Sequence, residues 1–198
     1  MYPCLFLLLD ALCNEFLTMM IGRKGFTMGF FDKLFGGKTE AAPKFSGEKM
    51  TVKAPIDGKV IPLEQIPDET FATAILGPGC GIEPTGDTVY APFDGTITQV
   101  ASTLHAIGMT SDDGIELLIH VGMDTVEMQG KGFTALVKED QKVKAGTPML
   151  KVDLNAIRAA NHPTTTAIIV TNGDDLNGMK VVADGPVEAG AAMIKFEG

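Results

Sequence analysis

Tryptophan is absent from these 198 residues, tyrosine occurs twice, and cysteine and histidine occur three times each. So few flat aromatic side chains leave little from which to build a base-stacking or carbohydrate platform. Basic residues are also scarce, 16 Lys and Arg against 25 Asp and Glu, for a net charge of −9. Such a chain repels phosphate backbones at long range, which argues against nucleic acid and for a basic protein or cationic ligand. Cys4, Cys13 and Cys80 include no C-x-x-C pair, so a disulfide framework is not expected and a reducing cytoplasm is the simplest compartment. Long apolar runs are missing too. Pro3 to Leu9 is apolar, but Asp10, Asn14 and Glu15 interrupt it before the roughly 18–20 residues of a membrane span. No Lys or Arg precedes that run, so a secretory signal fits badly.

Residues 1–27 read as an upstream extension, with translation expected to begin at Met28, and a membrane anchor is the competing reading. Beyond Met28, Phe30, Phe31, Leu34 and Phe35 fall on one helical stripe with Asp32 and Lys33 on the other side. This spacing predicts weak membrane-surface contact through residues 28–38, or else a disordered or locally packed leader. Residues 36–47 have the composition of a flexible linker. The body, residues 48–198, is long enough for one buried core.

That body reads as mainly β, a barrel or a sandwich. Strands are expected at Thr96–Val100, Ile115–Val121, Pro148–Val152, Ala167–Val170 and Ala192–Phe196, rich in Val, Ile and Thr. Turns are expected at Asp57-Gly58, Asp94-Gly95, Asp113-Gly114, Asn172-Gly173 and Asp184-Gly185. The one clear helix candidate runs from Leu154 to Ala160 behind an Asp153 N-cap. An internal echo joins Ala54-Pro-Ile-Asp-Gly-Lys-Val60 to Ala91-Pro-Phe-Asp-Gly-Thr-Ile97, and Ala145-Gly-Thr-Pro-Met-Leu-Lys151 to Ala189-Gly-Ala-Ala-Met-Ile-Lys195. Two halves that share an opening and a closing motif suggest duplication within one sheet-rich domain. The opening motif also resembles that of lipoyl and biotinyl carriers. Their hairpin-tip lysine has only Lys180, after Met179, as a weak counterpart.

Chemistry must come from few side chains. Alternation along Ile115–Val121 puts Ile115, Leu117, Ile119 and Val121 on one face, and Glu116, Leu118 and His120 on the other. The first set reads as the core face, so His120 emerges on a less buried surface. If Thr103–His105 is extended, Thr103 and His105 point the same way, and the hydroxyl can fix the imidazole tautomer. His162, before Pro163 in a turn-like stretch, reads as structural.

Leu117-Leu-Ile-His-Val-Gly-Met-Asp-Thr-Val-Glu127, followed by Gly130-Lys-Gly-Phe133, strongly resembles the signature of glucose-type enzyme IIA components. These belong to the bacterial phosphoenolpyruvate-dependent sugar phosphotransferase system. The resemblance takes in Thr103-Leu-His-Ala106, Ala91-Pro-Phe-Asp-Gly95, Pro84-Thr-Gly86, Pro67-Asp68 with Phe71, and Val143-Lys-Ala-Gly146. It implies an antiparallel β-sandwich of the duplicated hybrid-motif type, with short helical segments only. It also implies a phosphotransferase component that carries a phosphoryl group on histidine. In that reading His120 is the phosphoryl acceptor, His105 supports transfer, and Thr103 orients His105. Asp68 and Phe71 meet the donor, while Asp124 and Glu127 hold the loop or a basic partner. The implied donor is the phosphocarrier HPr, and the implied acceptor is the IIB domain of a membrane sugar permease. The implied location is the cytoplasm, peripheral at the inner face of the membrane. No cofactor is obligatory. In some members regulatory proteins such as transporters, kinases and adenylate cyclase bind too, and the two histidines hold zinc with a partner's carboxylate.

Gly77-Pro78-Gly79 stands where many relatives have Gly-Asp-Gly, and Ala101, Ile107 and Leu118 stand where aromatics often surround the histidines. These departures bear on partner choice. His120-x-x-x-Asp124 also fits a ligand pair of lysostaphin-type zinc peptidases, but the further H-x-H they need is absent. A non-catalytic carrier or binding domain is the third class. It explains neither the histidine pair nor its flanks.

Overall fold

The computed structural model describes residues 43–197. The extension expected at residues 1–27 and the amphipathic stripe of residues 28–38 lie outside the described residues. Among the described residues the chain forms β1 (Thr51–Lys53), β2 (Gly58–Pro62), β3 (Gly79–Pro84), β4 (Thr88–Tyr90), β5 (Gly95–Val100) and β6 (Ala106–Ser111). It continues through β7 (Glu116–Val121), β8 (Phe133–Ala135), β9 (Lys142–Val143), β10 (Pro148–Val152) and β11 (Thr166–Val170). β12 (Lys180–Val181), β13 (Gly185–Val187) and β14 (Ala192–Lys195) complete the set. Two short helices interrupt them, α1 (Glu69–Ala72) and α2 (Leu154–Ala159). No helix among the described residues is long and apolar enough to cross a membrane.

Every strand pairing is antiparallel. One sheet has eight strands in the order β13-β2-β3-β11-β7-β6-β5-β9, and two three-stranded sheets run β1-β14-β12 and β4-β10-β8. Val52 and Ile194 from one small sheet, Val89 and Leu150 from the other, and Leu117, Ile119 and Ile168 from the large one share a single core. The expected β-sandwich is therefore present.

The echo in the sequence is a two-fold relation in the pairing. Gly58 pairs with Pro84 as Gly95 pairs with Ser111, so β2-β3 repeats as β5-β6. β11 then corresponds to β7, β14 to β10, β1 to β4 and β13 to β9. The two opening turns are clasped in the same way. Asp57 Oδ1 accepts from the Ala189 amide at 2.7 Å, and Asp94 Oδ1 accepts from the Ala145 amide at 2.8 Å. Gly190 N donates to Ala54 O at 2.9 Å, and Gly146 N donates to Ala91 O at 2.8 Å. The first opening motif is thus closed by the last closing motif of the chain, and the second opening motif by the first closing one.

The linker reading of residues 36–47 needs correction at Phe45. Its ring packs against Tyr90, with centroids 6.0 Å apart, and lies 2.8 Å from where a Cβ on Gly146 would sit. Glycine at 146 leaves room for that ring, and Phe45 is tied to the core by it. Lys180 is no hairpin tip. It lies in β12 opposite Lys195, with Glu197 3.6 Å from its ammonium, so the carrier-lysine reading falls. Asp153 caps α2 as expected, with Oδ1 accepting from Asn155 N and Ala156 N, although the helix ends at Ala159. The helix α1 has no counterpart in the sequence reading, because a single turn is too short to show periodicity.

Asp57→Ala removes one clasp and leaves the Ala189 amide without its partner, a loss of about 1–3 kcal/mol. Urea denaturation of the variant is expected to show a lower midpoint. Asp57→Asn, which keeps an acceptor oxygen, should recover most of it.

Candidate functional site

His120 lies on β7 and points away from the main core. Ile115, Leu117, Ile119 and Val121 are all buried, whereas Glu116 is exposed and Leu118 and His120 are half-buried, as the alternation predicts. The residues opposite His120 are small, Ala106 on β6 and Ala167 on β11. A second apolar cluster covers this outer face, made of Ile61, Leu63, Ile66, Phe71, Met123, Ala167 and Ile169, with Leu118 packed against it.

Phe71 reaches the histidine because Asp68 starts the helix that carries it. Asp68 Oδ1 accepts from Thr70 N at 2.8 Å and Phe71 N at 3.3 Å. The Phe71 and His120 rings are then 5.0 Å apart between centroids. On the other side, His105 meets His120 edge to face, with centroids 4.7 Å apart and planes at 76°. Thr103 Oγ1 lies 2.6 Å from His105 Nδ1. The expectation that Thr103–His105 is extended does not hold. The segment is a turn with Leu104 left-handed at φ 59°, and this turn brings hydroxyl and imidazole together. Val121 N donates to His105 O at 2.8 Å, which ties the turn to β7.

Burial makes both rings hard to protonate. It lowers His105 below the ordinary histidine value. It pushes His120 down to about 4, with the neighbouring His105 acting the same way, while the Gly122 backbone, Asp68 and Asp124 pull in the opposite direction. Nδ1 of His120 is buried, and no acceptor meets hydrogen-bond geometry there among the described residues.

Beyond His120 the chain turns sharply. Gly122 is left-handed at φ 74°, and a Cβ there would lie 2.4 Å from Thr125 Cγ2. Asp124, Val126 and Glu127 are exposed on this turn. Neither carboxylate side chain forms a hydrogen bond among the described residues; the turn is closed by Glu127 N on Asp124 O at 3.1 Å and by the buried Thr125 hydroxyl on Val121 O at 2.7 Å. Holding the loop is therefore not the work of the Asp124 and Glu127 carboxylates.

Of the residues expected around the histidines, Leu118 shares the outer face, but Ile107 is fully buried in the main core. Alternation along β6 gives the outer positions to Ala106 and Gly108 instead. Ala106, Ala167 and Met123 belong to this face as well, and the sequence signals them only by the small side chains opposite His120 and by the place of Met123 in the motif. His162 lies elsewhere in the chain's bonding, its amide on Ile157 O at the end of α2. No group of three or more His, Cys, Asp or Glu able to hold a metal occurs among the described residues. The two histidines alone do not complete a tetrahedral site, so the peptidase reading lacks its ligands.

The family described as phosphoenolpyruvate-dependent sugar phosphotransferase system, EIIA 1, matches residues 50–176. The PTS system glucose-specific EIICBA component of Staphylococcus carnosus is 44% identical over 160 residues, 80% of this chain and 23% of that protein. The PTS system mannose-specific EIIBCA component of Corynebacterium glutamicum is 40% identical over 159 residues, again 80% and 23%. The chain thus spans about a quarter of the length of these relatives. The solved structure of glucose permease IIA from Mycoplasma capricolum superposes with a TM-score of 0.69 at 35% identity, covering 73% of this chain and 93% of that one.

The depressed His120 value has a checkable sign. The unfolded chain takes up its proton near pH 6.5 and the folded one near 4, so this residue's contribution is present above pH 6.5 and lost as pH falls to 4. The loss is at most about 3 kcal/mol. Urea midpoints measured between pH 7 and 4 should fall less steeply for His120→Gln than for the wild type.

Proposed function

The chain belongs to the EIIA 1 family of the phosphoenolpyruvate-dependent sugar phosphotransferase system, and from that premise we propose that it carries a phosphoryl group on His120. The observation that supports this most directly is the edge-to-face pair of His120 and His105, with Thr103 bonded to the second ring. At neutral pH His120 is uncharged, so one ring nitrogen keeps a lone pair. Nδ1 is sealed from solvent, which leaves Nε2 as the nucleophile. The bond from Nε2 to phosphorus forms as the donor's phosphorus–nitrogen bond breaks, and the donor imidazole leaves with that electron pair. With the Thr103 hydroxyl donating to Nδ1, His105 carries its proton on Nε2 and offers it to a phosphoryl oxygen. The apolar wall of Phe71 and Met123 limits water around the phosphohistidine and slows its hydrolysis.

The donor in this reading is phosphorylated HPr, and the acceptor is the IIB domain of a glucose-type sugar permease. Asp124 and Glu127 are exposed around the site, with Asp68 half-buried beside Phe71, on a chain of net charge −9, which suits basic partner surfaces and charge-steered encounter. Val126, 51% exposed between the two acids, adds apolar contact. The reaction takes place in the cytoplasm, at the inner face of the membrane where the permease lies. Transfer needs no cofactor. A zinc ion would need a docked regulatory partner to bring ligands beyond His105 and His120.

The test is phosphoryl transfer in a mixture of this protein, HPr, enzyme I and labelled phosphoenolpyruvate. Wild type should acquire acid-labile label, and His120→Ala should acquire none. His105→Gln should accept label but pass it on poorly to a IIB domain. Thr103→Val should resemble His105→Gln more mildly. An unlabelled, folded wild type would sink the proposal.

A further inference from the structure

The eight-stranded sheet is cut short along one edge. β13 follows β2 only as far as Gly185, which stands opposite Val60, while β2 runs on to Pro62. At Gly185, left-handed at φ 76°, the chain changes sheets, and the residues before it pair with β14 as β12. A cleft of about 550 Å³ opens where the strands part. Val60, Ile61 and Pro62 line it from β2, and Met179, Val181 and Ala183 line it from the strand that has moved away. The last three are alternate residues, as one face of an extended strand requires. β12 lies at the outer edge of its sheet. Lys180 stands opposite Lys195 and Val181 opposite Ile194, and Val182 N donates to Met193 O at 2.8 Å. Backbone groups of successive strand residues point to opposite sides, so Val181 turns its N–H and C=O away from β14. Its side chain is 42% exposed, so an unpaired strand edge and an apolar side chain are open at one residue.

Charge selects the occupant. Glu64 and Asp184 line the cleft and are exposed, and no basic side chain is among its lining residues. Lys180 faces the other way from Val181, with Glu197 3.6 Å from its ammonium. A second copy of this chain brings the same two acids and a net charge of −9, so like repels like. A peptide with basic residues is drawn in instead. A free backbone edge beside an apolar trough reads main chain through hydrogen bonds and alternate side chains through fit.

We propose that this cleft binds an extended segment of a partner protein, apolar at alternate positions and basic at its ends, which pairs with Val181 as an added strand. The assignment is independent of the phosphoryl-carrier reading, because none of its groups takes part in that chemistry.

The probe is an acetylated, amidated heptapeptide, Lys-Val-Thr-Val-Thr-Val-Lys, titrated to millimolar concentration into the isotope-labelled full chain and followed by NMR. Amide signals of Val60, Val181, Ala183 and Asp184 should move together, and solvent exchange of the Val181 amide should slow. Val181→Pro removes the outward N–H at a position where an edge strand tolerates proline, and should weaken binding roughly 10-fold. The same peptide N-methylated at its central valine should lose affinity in the same way. Glu64→Lys together with Asp184→Lys should abolish binding of this peptide and confer binding of one that ends in glutamates. A wild type whose cleft amides stay unmoved at millimolar peptide overturns the proposal. So does a peptide that binds regardless of both Val181→Pro and N-methylation, which marks the cleft as a site for small apolar molecules. Wild-type dimers in sedimentation that Val181→Pro dissolves would give the edge to a second copy, and that result also overturns it. If the proline variant does not fold, the N-methylated peptide makes the same test on the wild type.

Discussion

The nested pair of clasps at the two opening turns is the constraint on which the rest of the molecule depends. Asp57 and Asp94 each use one carboxylate oxygen to hold an amide that lies far away in sequence, 132 residues distant in the case of Ala189. The first opening turn is closed only when the last strands of the chain are in place. Strands β2-β3 and β5-β6 are therefore held on either side of β11 and β7, and the central pair of strands meets at Ile168 and Ile119. A rigid centre follows from this arrangement, because the residues there are fully buried and paired on both sides.

The same relation shows how far the two halves have diverged in chemistry. Following the registers, Ile169 on β11 occupies the place that His120 occupies on β7. Ile169 is fully buried in the second apolar cluster, to which Ile61 and Ile66 also belong. One half of the duplication has sealed this position and the other has kept it half open. The open position is partly desolvated by Phe71 and Met123, so a histidine there stays neutral and still meets a reagent. Burial sets the protonation state and incomplete burial grants access; the site needs both.

Much of this could be read from the residues in order. Alternation along Ile115–Val121 identified the face of His120, and the paired Ala-Pro-x-Asp-Gly motifs foretold the internal two-fold. Asp153 announced its helix. Other features were hidden for physical reasons. Leu104 and Asp124 are non-glycine residues in left-handed conformation, which local propensity does not reveal. Ile107 stands at a position expected beside the histidines, whereas the pleat turns it into the main core. The single turn of α1 and the Thr125 bond to Val121 O depend on tertiary context, and no spacing rule encodes them.

Phe45 has a consequence for tethering. Its ring sits against Tyr90 and over Gly146, next to the clasp that Asp94 makes with Ala145. Any tether that enters the domain from the N-terminal side therefore ends at Phe45 instead of running free to Glu48. Each residue fixed in this way takes about 3.3–3.6 Å from the tether's greatest reach. A shorter leash raises the effective concentration of whatever is attached, provided the span can still be bridged. The anchor point lies against both closing turns, at Gly146 and at Gly190.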